Sequence, residues 1–409
     1  MALSASVAID ARNLVCALAL ALFVPVAAAH ASTFKVLHSF SAGLDGCYPV
    51  AGLIIDGAGN LYGTTAGGYP CNCGTVFEIP PNGSETPLYD FTCGSNGDGP
   101  DDTLVMDYKG NLYGATIEGG SIGCGVIFKV APDGSEKTLH DFAGAPSDGC
   151  GALGTMILDA NRNLYGTTSG GGKGRAGTVF EIAPDGAGTV LYSFCPREPP
   201  HCGRGEFPGA GPIADEAGNL YGTTESGGSK NCSSGCGTVF QLASDGTQTV
   251  LHKFKGPPND GNEPDGTLIR DQLDNFYGTL AVGGRAGCFA NEGCGAVFEL
   301  TPGGVETVLH FFTGKKGDGA NPIAGLIADS VGTLYGTTEF GGGSGCDIGC
   351  GTVFEITPNG SEIVLHSFGK GNNGANPIGG LVADGAGNLY GTTQNGGSSG
   401  YGTVFEITP

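Results

Sequence analysis

The sequence predicts an all-β fold: a seven-bladed β-propeller of four-stranded blades, closed by the N-terminal strand completing the last blade. Three observations carry this. The phrase Leu61-Tyr62-Gly63-Thr64-Thr65 returns with small changes around Tyr113, Tyr165, Tyr221, Tyr277, Tyr335 and Tyr390, at steps of 51, 52, 56, 56, 58 and 55 residues. A second phrase, Gly74-Thr75-Val76-Phe77-Glu78-Ile79, follows it in register at Phe128, Phe180, Phe240, Phe298, Phe354 and Phe405. The two ends of the repeated region hold complementary parts of one unit. A fixed period is the mark of a repeat architecture, and four short strands per period match a propeller blade better than the shorter rungs of a β-solenoid.

Composition agrees. The 79 glycines among 409 residues are about 19 per cent, against a usual share of roughly 7 per cent. Disorder is excluded because 39% of residues are hydrophobic and only 14% charged. The net charge of −22 excludes ordinary nucleic-acid binding and disfavours anionic lipid, since both need a basic face.

In chain order, residues 1–31 read as a signal peptide. Arg12 precedes an apolar run from Leu14 to Ala29, and Ala29-His30-Ala31 supplies the small residues of a cleavage site. Pro25 interrupts the run, which is shorter than the roughly 20 residues of a spanning helix. Cys16 lacks the context of a lipoprotein signal. The expected product is exported, secreted or periplasmic, without lipid anchor or membrane span, and residues 32–409 form a single domain.

Thr33 to Phe40 is a fourth-strand sequence with no preceding three. Each full copy then runs as a first strand ending at a recurring aspartate (Asp56, Asp107, Asp159, Asp215, Asp271, Asp329, Asp384) and a turn such as Asp56-Gly57-Ala58-Gly59-Asn60. The Leu-Tyr-Gly-Thr-Thr strand follows, then a glycine-rich loop, then the β-branched and aromatic third strand. A turn such as Pro81-Asn82-Gly83 leads to the fourth. The chain ends at Gly402 to Pro409 with a third strand and no fourth, so the first segment is expected to complete the seventh blade and remove the open edge.

The phrase D-x-x-G-N-L-Y-G-T-T with its downstream G-T-V-F-E-I resembles the tandem repeat of bacterial exported GloVer (Gloeo-Verruco) repeat proteins over nearly all of residues 33–409. It is similar, more loosely, to blades of two-component-regulator propellers, which carry tryptophan where this chain has tyrosine. The resemblance implies a surface or secreted repeat protein and supplies no catalytic residue. A C-terminal sorting tail is not expected here, since the chain ends within a strand.

Without Cys16, fourteen cysteines remain, an even number that reads as disulfides in an oxidising compartment. Close spacing pairs Cys195 with Cys202, Cys232 with Cys236, Cys288 with Cys294, and Cys346 with Cys350. Cys124 with Cys150 is a longer pair, and Cys47, Cys71, Cys73 and Cys93 make two more in an open arrangement. No CxxC knuckle favours zinc. The histidines His38, His140, His252, His310 and His366 occupy one outer-strand position and cannot converge on one metal, so they read as structural. One recurring aspartate per blade falls short of a calcium shell and reads as a turn cap. No cofactor or metal is expected.

Alternating strand directions put the glycine-rich loops and the Asp-Gly connections, with all fourteen cysteines, on one face. Unique function is expected where the repeat breaks. The most deviant segment, Cys195 to Pro208, gathers Arg197, Glu198, His201, Arg204 and Glu206; Lys173, Arg175 and Arg285 are basic exceptions in the same loops. The expected function is a noncatalytic binding or surface-interaction module for a glycan, peptide or protein, acting as a monomer. The alternative is an extracellular polysaccharide-active lyase or glycoside hydrolase on the same face.

Overall fold

Thr75–Ile79 is β-branched or aromatic at four of five positions and buries all but Glu78, as a strand flanked on both sides must. Leu61–Thr65 is buried likewise, whereas Thr86–Asp90 stays half exposed, as an edge does. In the computed structural model these residues form the middle and outer strands of one antiparallel sheet. The structure describes residues 32–409, apart from 68–72, 197–201, 285–286, 289–292, 316, 344 and 370. The predicted signal peptide lies outside the described residues.

Seven such four-stranded sheets succeed one another. Blade 1 runs outward from the axis as Ile54–Ile55, Leu61–Thr65, Thr75–Ile79 and Thr86–Asp90. Blades 2 to 6 begin at Val105–Met106, Gly149–Leu158, Ile213–Ala214, Ile269–Arg270 and Ile327–Ala328. Blade 7 is built from Val382–Ala383, Leu389–Thr393 and Thr403–Thr408, with Thr33–Ser39 as its outer strand. Thr33 pairs with Thr408 and Ser39 with Thr403, so the ring closes as the termini predict.

The blades are joined by one aromatic contact used seven times. The phenylalanine after each fourth strand meets the third-strand phenylalanine of the next blade edge to face. The pairs Phe40–Phe77, Phe91–Phe128, Phe142–Phe180, Phe194–Phe240, Phe254–Phe298, Phe312–Phe354 and Phe368–Phe405 have ring centroids 5.0 to 5.3 Å apart. Each is worth about 0.5–1.5 kcal/mol beyond its buried area. The glycine of Leu-Tyr-Gly-Thr-Thr makes room for that ring: a Cβ on Gly63 would fall 2.6 Å from Phe77 Cζ.

Each recurring aspartate caps its turn. The Asp56 carboxylate accepts from the Ala58 and Asn60 amides, from Asn60 Nδ2 and from the Tyr62 hydroxyl. On the other face, each connection between blades pairs with the second-to-third-strand loop of the blade it enters. Asp98 bridges Glu118, Glu206 bridges Ser226, and Gly319–Ala320 pairs with Phe340–Gly341. Disulfides stitch these loops as spacing predicts: Cys124–Cys150, Cys195–Cys202, Cys232–Cys236, Cys288–Cys294 and Cys346–Cys350. Within the group left open, Cys73 pairs with Cys93 and Cys47 is also disulfide-bonded, while Cys71 lies outside the described residues. Among the described residues, no helix is long and apolar enough to cross a membrane.

Candidate ligand-binding channel

The first strands line a central channel with a cavity of about 340 Å³. Each enters directly from the loop-face connection, so the residues just before it stand at the loop-side mouth. In six blades a proline (Pro49, Pro100, Pro208, Pro264, Pro322, Pro377) fixes this entry, and Ala152 stands there in blade 3. The next residue forms a ring: Val50, Asp101, Leu153, Gly209, Asp265, Ile323 and Ile378. Blades 6, 7 and 1 thus give an apolar arc, and blades 2 and 5 place an aspartate at either end of it.

Threonine hydroxyls of the second strands hold this wall to the neighbouring blade. Thr64 Oγ1 donates to the Asp102 carbonyl at 3.4 Å, Thr167 to Ala210 at 2.8 Å, Thr279 to Ala324 at 2.9 Å and Thr392 to Ala51 at 2.8 Å. The belt lacks a hydroxyl at Ala115 in blade 2 and breaks again at Thr223, whose buried hydroxyl has no partner. Beside that gap, Glu225 and Asp265 converge on Gly209. A Cβ there would lie 2.5 Å from Glu225 Oε1 and 3.2 Å from Asp265 Oδ1.

These carboxyl groups hold protons more tightly than free ones. Burial, then the Asp98 and Glu118 carboxylates, lifts Asp101 to about 6. Asp102, 3% exposed, is raised well above the usual range by burial and then by Asp101, although the Gly154 amide opposes this. Burial, then Glu225 and Glu263, raises Asp265 well above its usual range, and the Glu225–Asp265 hydrogen bond requires a proton between them. Burial alone raises Glu339 to about 7. A protonated carboxyl both donates and accepts, so Asp265 and its neighbour Glu225 offer a proton-sharing, hydrogen-bonding pair beside apolar side chains.

The basic exceptions lie elsewhere. Arg204 Nη1 donates to the Gln248 carbonyl at 3.1 Å and Gln248 Nε2 returns a bond to the Arg204 carbonyl at 3.2 Å, so this arginine ties blade 4's outer strand to its connection. Glu206 sits beside it on that connection, its backbone exchanging hydrogen bonds with Ser226. Lys173 and Arg175 are exposed on the blade 3 loop, where Gly174 packs against the Cys195 backbone. Arg197, Glu198, His201 and Arg285 lie outside the described residues. The structure therefore joins the Lys173–Arg175 loop to the Cys195–Cys202 loop, and lines the channel with acids the sequence reading passed over. Their signal is register: Asp101 and Asp265 stand where other copies carry Val50, Leu153, Ile323 or Ile378.

The profile of the Gloeobacter/Verrucomicrobia repeat matches residues 26–234 and 208–409, which together span nearly the whole repeated region. The chain belongs to the Gloeobacter/Verrucomicrobia repeat family. No curated protein matches this member of the family. Among solved structures, the repeat ring is similar to a gluconolactonase from Xanthomonas campestris, with 16% identity, 81% of this chain and 89% of that one covered, and a TM-score of 0.43. It is also similar to a putative glucose dehydrogenase-type oxidoreductase from Thermus thermophilus, with 16% identity, 76% and 96% covered, and a TM-score of 0.47. A luciferin-regenerating enzyme, 15% identical over 75% of this chain and 90% of that one, scores 0.44. At these scores the likenesses carry no argument about what the repeat protein does.

Proposed function

We propose that this repeat protein is an exported, noncatalytic binding module that takes a polyhydroxylated ligand, such as the end of a glycan chain, at the loop-side mouth of its channel. One observation carries the reading. Asp101 and Asp265 break an otherwise apolar ring, and burial keeps both in reach of protonation at the two ends of the Val50, Ile378 and Ile323 arc. Protonated carboxyls and the lining Thr103, Thr155 and Thr267 suit hydroxyl groups, and the apolar arc suits the carbon face of a sugar ring. The disulfide-rich loop face fits a preorganised site outside the cytoplasm.

A second reading, a polysaccharide-active enzyme, draws on the same carboxyls, since raised acids at a channel mouth are candidates for general acid chemistry. Against it, Glu225 and Asp265 touch directly, whereas glycosidase carboxyls stand roughly 5–9.5 Å apart. A glycan array with residues 32–409, run with and without calcium, tests the proposal. Binding should appear on a defined set of glycans and vanish in the Asp101→Asn, Asp265→Asn double variant. Binding unchanged in that variant sinks the channel site. Turnover of a polymer that Asp265→Asn abolishes replaces the binding module with the enzyme.

A further inference from the structure

The outer rim of the ring carries a second chemistry, independent of the channel. At each interface the histidine position of a fourth strand faces a residue of the following connection and the first fourth-strand position of the next blade. Three interfaces carry a full His, Asp and Glu set. They hold His38, Asp45 and Glu85 at blades 7 and 1; His252, Asp260 and Glu306 at blades 4 and 5; and His310, Asp318 and Glu362 at blades 5 and 6. Elsewhere the set is incomplete, although Glu136, the His140–Asp148 pair and His366 remain as single or paired members. Tyr89 and Asn96 bond each other and Tyr89 reaches Glu136; Arg204 binds Gln248 at the interface where Tyr192 takes the histidine position; and Phe34 stacks on His366.

His140 shows what a His–Asp pair does alone. Its third position is Gly188, where a Cβ would meet the His140 ring, and His140 Nε2 closes on Asp148 Oδ2 at 3.0 Å, an ordinary hydrogen bond. Where glutamate supplies the third position, the groups stand apart. His252 Nε2 lies 3.6 Å from Glu306 Oε2, and His310 Nε2 lies 3.5 Å from Asp318 Oδ1. Those separations are too long for good hydrogen bonds. They are close to the edge of a tetrahedron whose centre lies roughly 2.0–2.2 Å from nitrogen and oxygen ligands.

Within the His252 and His310 trios, one donor atom per residue lies within 4.8 Å of the others. His38, Asp45 and Glu85 do not reach that spacing. The His252 side chain is 10% exposed, yet its Nε2 has no hydrogen-bond partner, nor does Glu306 Oε1; His310 Nε2 and Glu362 Oε1 repeat the pattern. The Gly304 backbone lies beside the His252 ring and favours a proton on it. Asp260 is fixed by the Lys255 and Gly261 amides at 2.7 Å each, and Asp318 by the Thr313 and Gly319 amides at 2.8 and 2.7 Å. A fixed carboxylate, a second carboxylate and an imidazole, the last two each with an unpartnered buried atom, are the donor set of a divalent transition metal.

We propose that His252, Asp260 and Glu306, and separately His310, Asp318 and Glu362, each bind a divalent metal ion of the zinc class, with solvent completing the shell. The two ions clamp blade 4 to blade 5 and blade 5 to blade 6. The metal's two charges balance the two carboxylates, and the imidazole binds neutral.

The test uses residues 32–409 stripped with a chelator, dialysed, and titrated with Zn²⁺ alone; bound metal is measured by mass spectrometry after gel filtration, and Co²⁺ gives an absorption readout. Two equivalents are expected at about 10 µM free zinc. Glu306→Gln and Glu362→Gln, nearly isosteric, should each remove one equivalent, and the double variant both, with circular dichroism confirming that the sheet persists. His140→Ala should retain both. Fewer than two equivalents on the unaltered protein, or two equivalents surviving in the double variant, overturns the proposal.

Discussion

Phe34, in the strand that closes the ring, lies flat on His366 of blade 6, with ring centroids 3.8 Å apart and planes 6° from parallel. The same phenylalanine meets Phe368 edge-on at 5.8 Å, so one side chain of the N-terminal segment joins two blades. Phe34→Ala should therefore cost about 2 kcal/mol, below the figure for a fully buried phenylalanine because the ring is half exposed. Urea unfolding of this variant against exposed Thr33→Ala, expected to be silent, measures it.

Gly63→Ala should destabilise by about 1–3 kcal/mol, because the added methyl strikes the Phe77 ring and Leu53 in a full core. Gly57→Ala meets nothing within 4 Å and serves as the control. Equal thermal midpoints for the two variants would refute the account of why the strand phrase carries glycine.

Glu339 makes a pH prediction with a definite sign. Its folded value is raised to about 7 by burial, so between the ordinary 4.5 and 7 the folded state holds more proton than the unfolded one. Its contribution is thus complete below pH 4.5 and is lost as pH rises through 7. Glu339→Gln should leave stability unchanged near pH 4 and raise it at pH 8, read as the difference in denaturant midpoints at the two values. A difference that grows toward acid would refute it.

Cys124 and Cys150 enclose a longer loop than Cys232 and Cys236, with separations of 26 and 4 residues. Loop entropy makes the first worth about 3.5 kcal/mol and the second about 2 kcal/mol. Paired Cys→Ser variants, melted under non-reducing conditions, should rank in that order.

The ring was legible because its signals are repeated: seven copies of Leu-Tyr-Gly-Thr-Thr set the blade number, and the unmatched Thr33 to Phe40 segment announced its partner. The candidate site was less so. Arg204 drew notice as a basic residue in an acidic chain, yet its guanidinium is spent on the Gln248 carbonyl. Asp101 and Asp265 are single substitutions at a regular position just ahead of the first strands, so a search for long deviant loops steps over them. Glu225 and Asp265 come from adjacent blades, and their meeting over Gly209 is a relation between neighbours that one repeat does not contain. The histidines do remain apart, one per interface; the Glu306 and Glu362 carboxyls beside two of them arrive from the following blade.

The pairing of Thr33–Ser39 with Thr403–Thr408 also orders events during synthesis. The segment made early must wait, with its edge unsatisfied, for the segment made late, and no local hairpin can stand in for that meeting. A polypeptide truncated before Thr403 would leave Thr33–Ser39 and Leu389–Thr393 without their shared partner, a bare sheet margin of the kind that recruits other chains.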